Sequence, residues 1–303
     1  MRIGIVGGGA IGLLYAFHLT KAFDVTLYVK RKAQLQLISD NGGITVLHQQ
    51  TEETREITVK LWGDVNVPED DVIIVAVKQY NLPELMNSLN ECSKRQSVFF
   101  LQNGMAHIDL LSDLINPRIF LGVVEHGVKK ENDFTISWTG KGRTKLAHYP
   151  KPLPEPSTVD FTEKWTKDIS NDFPIEICPD FNEMMMQKLL VNAIINPLTA
   201  IFHVRNGELL TNIHYKKTMA MLYNELSLFV EKNKRQETWE HICTICERTA
   251  TNWSSMNRDI QEGRETEVDA ILGYLKKLAI SRGESVPITE FIYEAVKGLQ
   301  DMK

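Results

Sequence analysis

The chain has 303 residues, 43% of them hydrophobic and 24% charged, with a formal net charge of −5 at pH 7. That length suits two domains with packed cores, and the slightly acidic balance gives no sign of a nucleic-acid partner, so none is expected. The longest wholly apolar runs, such as Val72-Ile-Ile-Val-Ala-Val77, are strand-sized, so neither a membrane span nor a membrane partner is expected.

The chain opens with Arg2 and an apolar stretch that resembles a signal peptide. Glycines inside the stretch, and no small-residue cleavage site after it, argue against that. Residues 3 to 12 instead read as a short strand running into Gly7-Gly8-Gly9-Ala10-Ile11-Gly12 and then a helix. This is the G-x-G-x-x-G dinucleotide fingerprint between the two elements it needs. The first glycine allows a tight turn, the second lets backbone approach a pyrophosphate, and the third lets helix and strand pack closely. The helix N-terminus offers its free N–H groups and partial positive charge to the phosphates.

A second strand, Asp24–Val29, arrives at the spacing of a βαβ unit. Where an NAD enzyme usually places an acid to hold the ribose 2′-OH, this chain has Lys30-Arg31-Lys32. Cations there suit a 2′-phosphate, which a guanidinium grips through its planar fork, so the expected cofactor is NADPH.

Gly43–Leu47 and Glu56–Leu61 predict two strands paired with each other, and Asp71–Val77 predicts a buried parallel strand ending at Lys78. Ser97–Leu101 is the next strand, ending at Gln102-Asn103-Gly104-Met105. Ligands in open α/β sheets lie beyond the carboxyl ends of the strands, which puts Lys78 and Asn103 at the cofactor; Asn103-Gly104 alone reads equally well as a turn. Further strands are expected over 119–124 and around Lys145–Ala147, then a proline-rich linker from Tyr149 to Pro156, a helix over 161–173 and a strand at Ile175–Ile177.

The predicted fold class is therefore α/β, a Rossmann-type doubly wound sheet followed by an all-helical C-terminal domain. The expected boundary lies at Pro179, with residues 1–179 as NADP-binding domain and 180–303 as helical substrate and catalytic domain. In the first helix of the latter, Lys188, Asn192 and Asn196 recur at four-residue spacing among Leu, Val, Ala and Ile. At about 3.6 residues per turn they form one slanting stripe. A polar stripe in apolar surroundings needs hydrogen-bonding partners, which a bound carbonyl or anion supplies and which water or a neighbouring helix also could.

Four cysteines (Cys92, Cys178, Cys243, Cys246) without a secretory signal suggest a reducing, cytoplasmic compartment. Cys243 and Cys246 with His241 make too small and too helical a set for zinc, so no metal is expected and the role of the two thiols stays open. Near the end, Asn252-Trp-Ser254-Ser255 leads to Asp259, one turn beyond Ser255, and Gly263 breaks the chain before Thr266-Glu267-Val-Asp269. Thr266 and Asp269 fit a capping box, and Glu267 fits a residue that complements the helix dipole.

Taken with the glycine turn, the Gln102-Asn103-Gly104-Met105 signature, the Lys188-x3-Asn192-x3-Asn196-Pro-Leu-Thr-Ala run, Ser255 and Thr266-Glu267-x-Asp269 resemble the 2-dehydropantoate 2-reductase (ketopantoate reductase) family. The resemblance covers both predicted domains. Its glycine motif is widely shared, whereas the other motifs together at this spacing are specific. One departure is Ala106, where the family often has glycine.

The resemblance implies NADPH-dependent reduction of a 2-ketoacid in pantothenate synthesis. It makes Lys188 the general acid, with Glu267 orienting the lysine or the substrate hydroxyl. Asn103, Asn192, Asn196, Asn252 and Ser255 would line the substrate pocket; Gly7 to Gly12, Arg31, Lys78, Asn103 and Glu267 would meet the cofactor. A homodimer is compatible with it. Two other readings stay open: a related reductase of another 2-ketoacid, and a non-catalytic NADPH-binding sensor.

Overall fold

The computed structural model describes residues 1–64, 69–114, 117–150 and 160–302. The chain divides into two compact units, one of Met1–Gln102 with Ile108–Met184, the other of Asn103–His107 with Met185–Lys303.

The first unit holds strands β1 (Arg2–Val6), β2 (Asp24–Val29), β3 (Ile44–His48), β4 (Thr51–Arg55), β5 (Thr58–Leu61), β6 (Val72–Val75), β7 (Ser97–Phe100), β8 (Arg118–Val124), β9 (Gly127–Lys130), β10 (Thr135–Gly140), β11 (Thr144–Tyr149) and β12 (Ile175–Ile177). Its helices are α1 (Ala10–Leu19), α2 (Lys32–Asp40), α3 (Pro83–Asn90), α4 (Ile108–Leu111) and α5 (Asp160–Asp168). The larger sheet has the order β5-β2-β1-β6-β7-β8-β11-β12. From β5 to β8 every pairing is parallel, which is the strand order of a dinucleotide-binding sheet; β11 then pairs antiparallel with β8. Val72–Val75 is buried along its whole length because such strands are covered on both faces, which is why it reads as an unbroken apolar run.

A second sheet, in the order β4-β3-β10-β9, lies over α1. With β1 and β2 on one side and β3, β9 and β10 on the other, α1 is buried from Gly12 to Leu19, and its sequence is accordingly apolar all round. This sheet corrects one expectation. The strands at 44–48 and 58–61 do not pair with each other: the first pairs with β4 and β10, the second with β2. The partner that intervenes, Thr51-Glu-Glu-Thr-Arg55, is almost wholly exposed and carries no apolar alternation to announce a strand.

The helix expected over 161–173 stops at Asp168. Phe173 turns back, its N–H bonding to Ile169 and its carbonyl accepting the Trp165 indole N–H at 2.7 Å. His18 and His126 each stack on the Phe173 ring, at 4.5 Å and 4.4 Å between centroids. Burial, reinforced by Lys21 and Arg55, pushes the His18 imidazole down to about 3, and burial pushes His126 down to about 4. The proline-rich linker expected from Tyr149 onward lies outside the described residues beyond Pro150.

α6 (Phe181–Phe202) carries the chain into the second unit, which continues with α7 (Glu208–Thr211), α8 (Ile213–Leu226), α9 (Arg235–Arg248), α10 (Ser255–Gln261), a π turn at Asp269–Gly273, α11 (Tyr274–Ser281) and α12 (Pro287–Asp301). Among the described residues α6 alone is long and apolar enough to cross a membrane, but 72% of its most apolar window is buried inside this fold, as in a core helix. Glu225 at the end of α8 accepts the N–H groups of Ile288 and Thr289, satisfying orphan donors of α12.

Candidate active site

In the first unit, β1 delivers the glycine turn to the start of α1. Gly7 has φ +119, and a Cβ at Gly12 would collide with the Gly7 carbonyl oxygen, so the turn and helix can approach this closely only with glycine at both positions. Gly9 is the N-cap, and a Cβ built there meets nothing within 4 Å. The exposed backbone N–H end of α1 thus faces open space, the condition a pyrophosphate needs. Gly8, Ala10 and Ile11 complete the turn.

Arg31 is the N-cap of α2, immediately past β2, and its guanidinium bonds the Asp133 carboxylate. Lys30 turns elsewhere, to Glu84 at 2.6 Å, with both side chains largely in water. Lys32 is exposed. Of the three expected cations, Arg31 is therefore the one held beside the glycine turn's own neighbours. Lys78 stands past the carboxyl end of β6, capping a short 3-10 turn. The buried Gln102 amide donates to the Val75 and Val77 carbonyls at 3.0 and 3.1 Å, locking the ends of β6 and β7 together.

In the second unit, α6 presents Lys188, Asn192 and Asn196. The lysine is partly exposed, whereas the two asparagines are 7% and 8% exposed. Pro197 follows within the helix, and Thr199 anchors the next layer: its hydroxyl lies 2.8 Å from that of Ser254, and its carbonyl accepts the Asn257 amide at 2.6 Å. Ser254, not Ser255, is the N-cap of α10, accepting the Asn257 N–H. Asn252 and Ser255 are exposed, while Ser254 and Asn257 are buried and fix the backbone. Asp259, one turn on, is buried and paired with Arg264 at 2.9 Å.

Asn103 belongs to this second unit. Its Nδ2 donates to Glu267 Oε2 at 3.0 Å, a direct bond between two of the expected site residues. The turn that carries it is docked on the π turn: the Met105 N–H bonds the Ala270 carbonyl at 3.3 Å. Gly104 has φ +79, and a Cβ there would strike the same carbonyl, so no other residue fits.

Glu267 is 7% exposed. The Thr266 hydroxyl accepts the Val268 N–H at 3.3 Å, as an N-cap should, but the expected capping box is not completed. Asp269 is instead bonded by Tyr293 and lies 3.2 Å from Lys297 Nζ. Gln300 Oε1 accepts both the Thr266 N–H (3.1 Å) and hydroxyl (2.7 Å). Tyr293, Lys297 and Gln300 recur at helical spacing on α12 and together clamp the segment bearing Glu267. Their spacing is visible in the sequence, but their target is not.

Cys243 and Cys246 lie on α9, and burial pushes the Cys246 thiol up to about 12, leaving it a protonated packing group.

A glycine-rich strand-to-helix turn on a parallel sheet, followed by a helical unit with a lysine and two buried amides on one helix, defines the class of two-domain dinucleotide-dependent oxidoreductases. Comparison with known proteins refines the class. The profile described as ketopantoate reductase PanE/ApbA matches residues 3–151, and that of the family's C-terminal part matches residues 180–300. The chain belongs to the ketopantoate reductase family. It is 36% identical over 302 residues to the 2-dehydropantoate 2-reductase of Bacillus subtilis, covering 99% of this chain and 98% of that one. It is 34% identical to the corresponding enzyme of Listeria monocytogenes, covering 99% and 97%. The crystal structure of a probable 2-dehydropantoate 2-reductase from Bacillus subtilis superposes with a TM-score of 0.86, at 36% identity, over 99% of this chain and 100% of that one. A D-mandelate dehydrogenase solved with NADH shares the fold at TM-score 0.88 and 22% identity, over 99% of each chain.

Proposed function

We propose that this chain reduces 2-dehydropantoate to (R)-pantoate with NADPH, in pantothenate synthesis. The observation that carries the reading is the Asn103–Glu267 hydrogen bond, made in the unit whose first helix bears Lys188, Asn192 and Asn196, in a chain of this family throughout its length. The first unit serves as the cofactor domain and the second as the substrate and catalytic domain.

Bound NADPH supplies the hydride. The residues of the chain do the rest. Gly7 to Gly12 offer backbone N–H groups to the pyrophosphate, Arg31 takes the 2′-phosphate, and Lys78 adds a cation beyond the sheet. Lys188 Nζ donates a hydrogen bond to the ketone oxygen and transfers its proton as negative charge accumulates there. Asn192, Asn196, Asn252 and Ser255 are neutral donors and acceptors for the substrate's carboxylate and hydroxyl, which leaves Lys188 for the carbonyl. Glu267, its carboxylate fixed by Asn103, orients Lys188 or the substrate hydroxyl, and Glu267 and Asn103 would also meet the bound cofactor. The protein works in the cytoplasm, and a homodimer is the assembly we assign it.

The test is NADPH oxidation followed with 2-dehydropantoate, pyruvate and branched 2-ketoacids in parallel. A kcat/KM for 2-dehydropantoate well above the others supports the assignment. Equal or greater turnover of another ketoacid moves the enzyme to a different substrate, and no turnover of any of them removes it from catalysis.

A further inference from the structure

A ring of polar groups closes around the glycine turn on the side of α2. The Gly8 carbonyl accepts Gln34 Nε2 at 2.7 Å and Lys130 Nζ at 3.0 Å. Lys130 Nζ also reaches Asp133 Oδ1 at 2.8 Å, and the same oxygen receives the Arg31 guanidinium. The Asp133 carbonyl takes the Gln34 amide at 2.9 Å, which closes the ring. Two cations thus share a single carboxylate oxygen, and all of it sits past the end of β2, where a dinucleotide's adenosine ribose lies in this fold.

We infer that Lys130 and Asp133, on the hairpin joining β9 to β10, set the choice between NADPH and NADH: Lys130 is a second cation for the 2′-phosphate, and Asp133 is the internal carboxylate which that phosphate displaces. This rests on the proposed role of Arg31. A guanidinium grips carboxylate and phosphate through the same fork, so Asp133 and a 2′-phosphate compete for Arg31 directly. The phosphate brings a charge of about −1.5 to −2 against the single charge of a carboxylate, enough to win two cations, but it must then sit beside a displaced Asp133 that repels it. NADH has only a ribose hydroxyl to offer at this point. It disturbs neither cation, and Asp133 remains as an acceptor for it. The carboxylate therefore holds NADPH preference below what Arg31 and Lys130 alone would give.

The hairpin is also held by bonds that do not involve the Asp133 side chain. Asn132 Oδ1 accepts the N–H groups of Phe134 (2.9 Å) and Thr135 (2.7 Å), and Glu131 N–H bonds the Thr135 carbonyl. Asp133→Asn should fold normally, and a thermal melt checks this.

The experiment is titration of NADPH and NADH, by nucleotide fluorescence at low ionic strength, into the full chain and its Asp133→Asn, Lys130→Met and Arg31→Ala variants. Asp133→Asn should tighten NADPH by about 3- to 10-fold and leave NADH unchanged or weaker, while Lys130→Met should weaken NADPH about 10-fold with little effect on NADH. The Arg31→Ala, Asp133→Asn double variant should show no gain over Arg31→Ala, because the contested partner is gone. If Asp133→Asn weakens NADPH, or shifts both cofactors equally, the carboxylate is structural and the inference falls. If Lys130→Met shifts both equally, Lys130 only braces the Gly8 turn and its assignment falls. Arg31→Ala alone tests the underlying reading: equal losses for the two cofactors would overturn that role of Arg31, whatever the hairpin variants do.

Discussion

Asn103 Nδ2 donates to Glu267 Oε2 across 3.0 Å, joining residues 164 positions apart. A carboxylate held by an amide donor in a buried setting keeps a fixed direction, and direction is what a group that orients a proton donor must have. The bond also gives Asn103 a task beyond contact with cofactor or substrate. It makes the turn after β7 part of the Glu267 support.

If Glu267 orients Lys188 and the ketoacid, Glu267→Gln should lower kcat/KM by about 10²-fold or more with little change in melting temperature, because the isosteric amide preserves packing and removes the charge. Glu267 as a mere complement to the helix dipole predicts the opposite: about 0.3 to 1 kcal/mol of lost stability and normal turnover. Melts and steady-state kinetics on one preparation separate the two.

Lys188→Ala should lower kcat by about 10²-fold or more, since the charge it stabilises appears mainly in the transition state. NADPH affinity, read by fluorescence titration, should stay near normal. Wild-type turnover in this variant would remove Lys188 from the chemistry.

Gln300→Leu strands two donors of Thr266, which is 2% exposed, and should cost about 1 to 3 kcal/mol in denaturant unfolding. Because Thr266 is adjacent to Glu267, kcat should also fall under conditions where the variant is fully folded. Gln300→Glu keeps the acceptor oxygen and should restore much of both. A folded Gln300→Leu enzyme with unchanged kcat would show the clamp to be structural only.

Acid should destabilise the first unit through its buried imidazoles. His18 and His126 have folded values of about 3 and 4 against an ordinary value of 6.5, so both are neutral in the native state at pH 7. Unfolding lets them take up protons below pH 6.5. The stability they contribute is therefore complete above 6.5 and is lost as pH falls from there toward 4 and 3. His18→Phe, which keeps a ring against Phe173, should flatten the fall in melting temperature between pH 6.5 and 4. An unchanged pH profile would mean His18 is not a source of the acid sensitivity.

Features that rest on local physics were legible in the sequence. The glycine turn demands a backbone that only glycine allows, and the stripe of Lys188, Asn192 and Asn196 follows from helical periodicity. The central parallel strands show themselves as apolar runs. What could not be read was tertiary partnership. β4 is polar and exposed, and it joins a sheet whose members come from 44–55 and 127–140. Asn103 follows a strand of the first unit yet belongs compactly to the second. Ser254 and Ser255 are equivalent as letters, and only the α10 cap distinguishes them. Gln300 lies 34 residues from the threonine it holds, with nothing in its neighbourhood to mark it.

The π turn at Asp269–Gly273 makes the effect of shortening this stretch depend on where the residue is lost. A π turn is an α-helix that has absorbed one extra residue, and each residue advances a regular helix by about 100°. Losing one residue inside the π turn would return it to α geometry and leave the later side chains on their present faces, at the expense of the Ala270 carbonyl's alignment with the Met105 N–H. Losing one at the start of α11 would instead swing every later side chain by more than a quarter of a circle, and Leu275 and Ala279, both fully buried, would leave the core. Gene variants shortened by a single codon should therefore be better tolerated within Asp269–Gly273 than in α11.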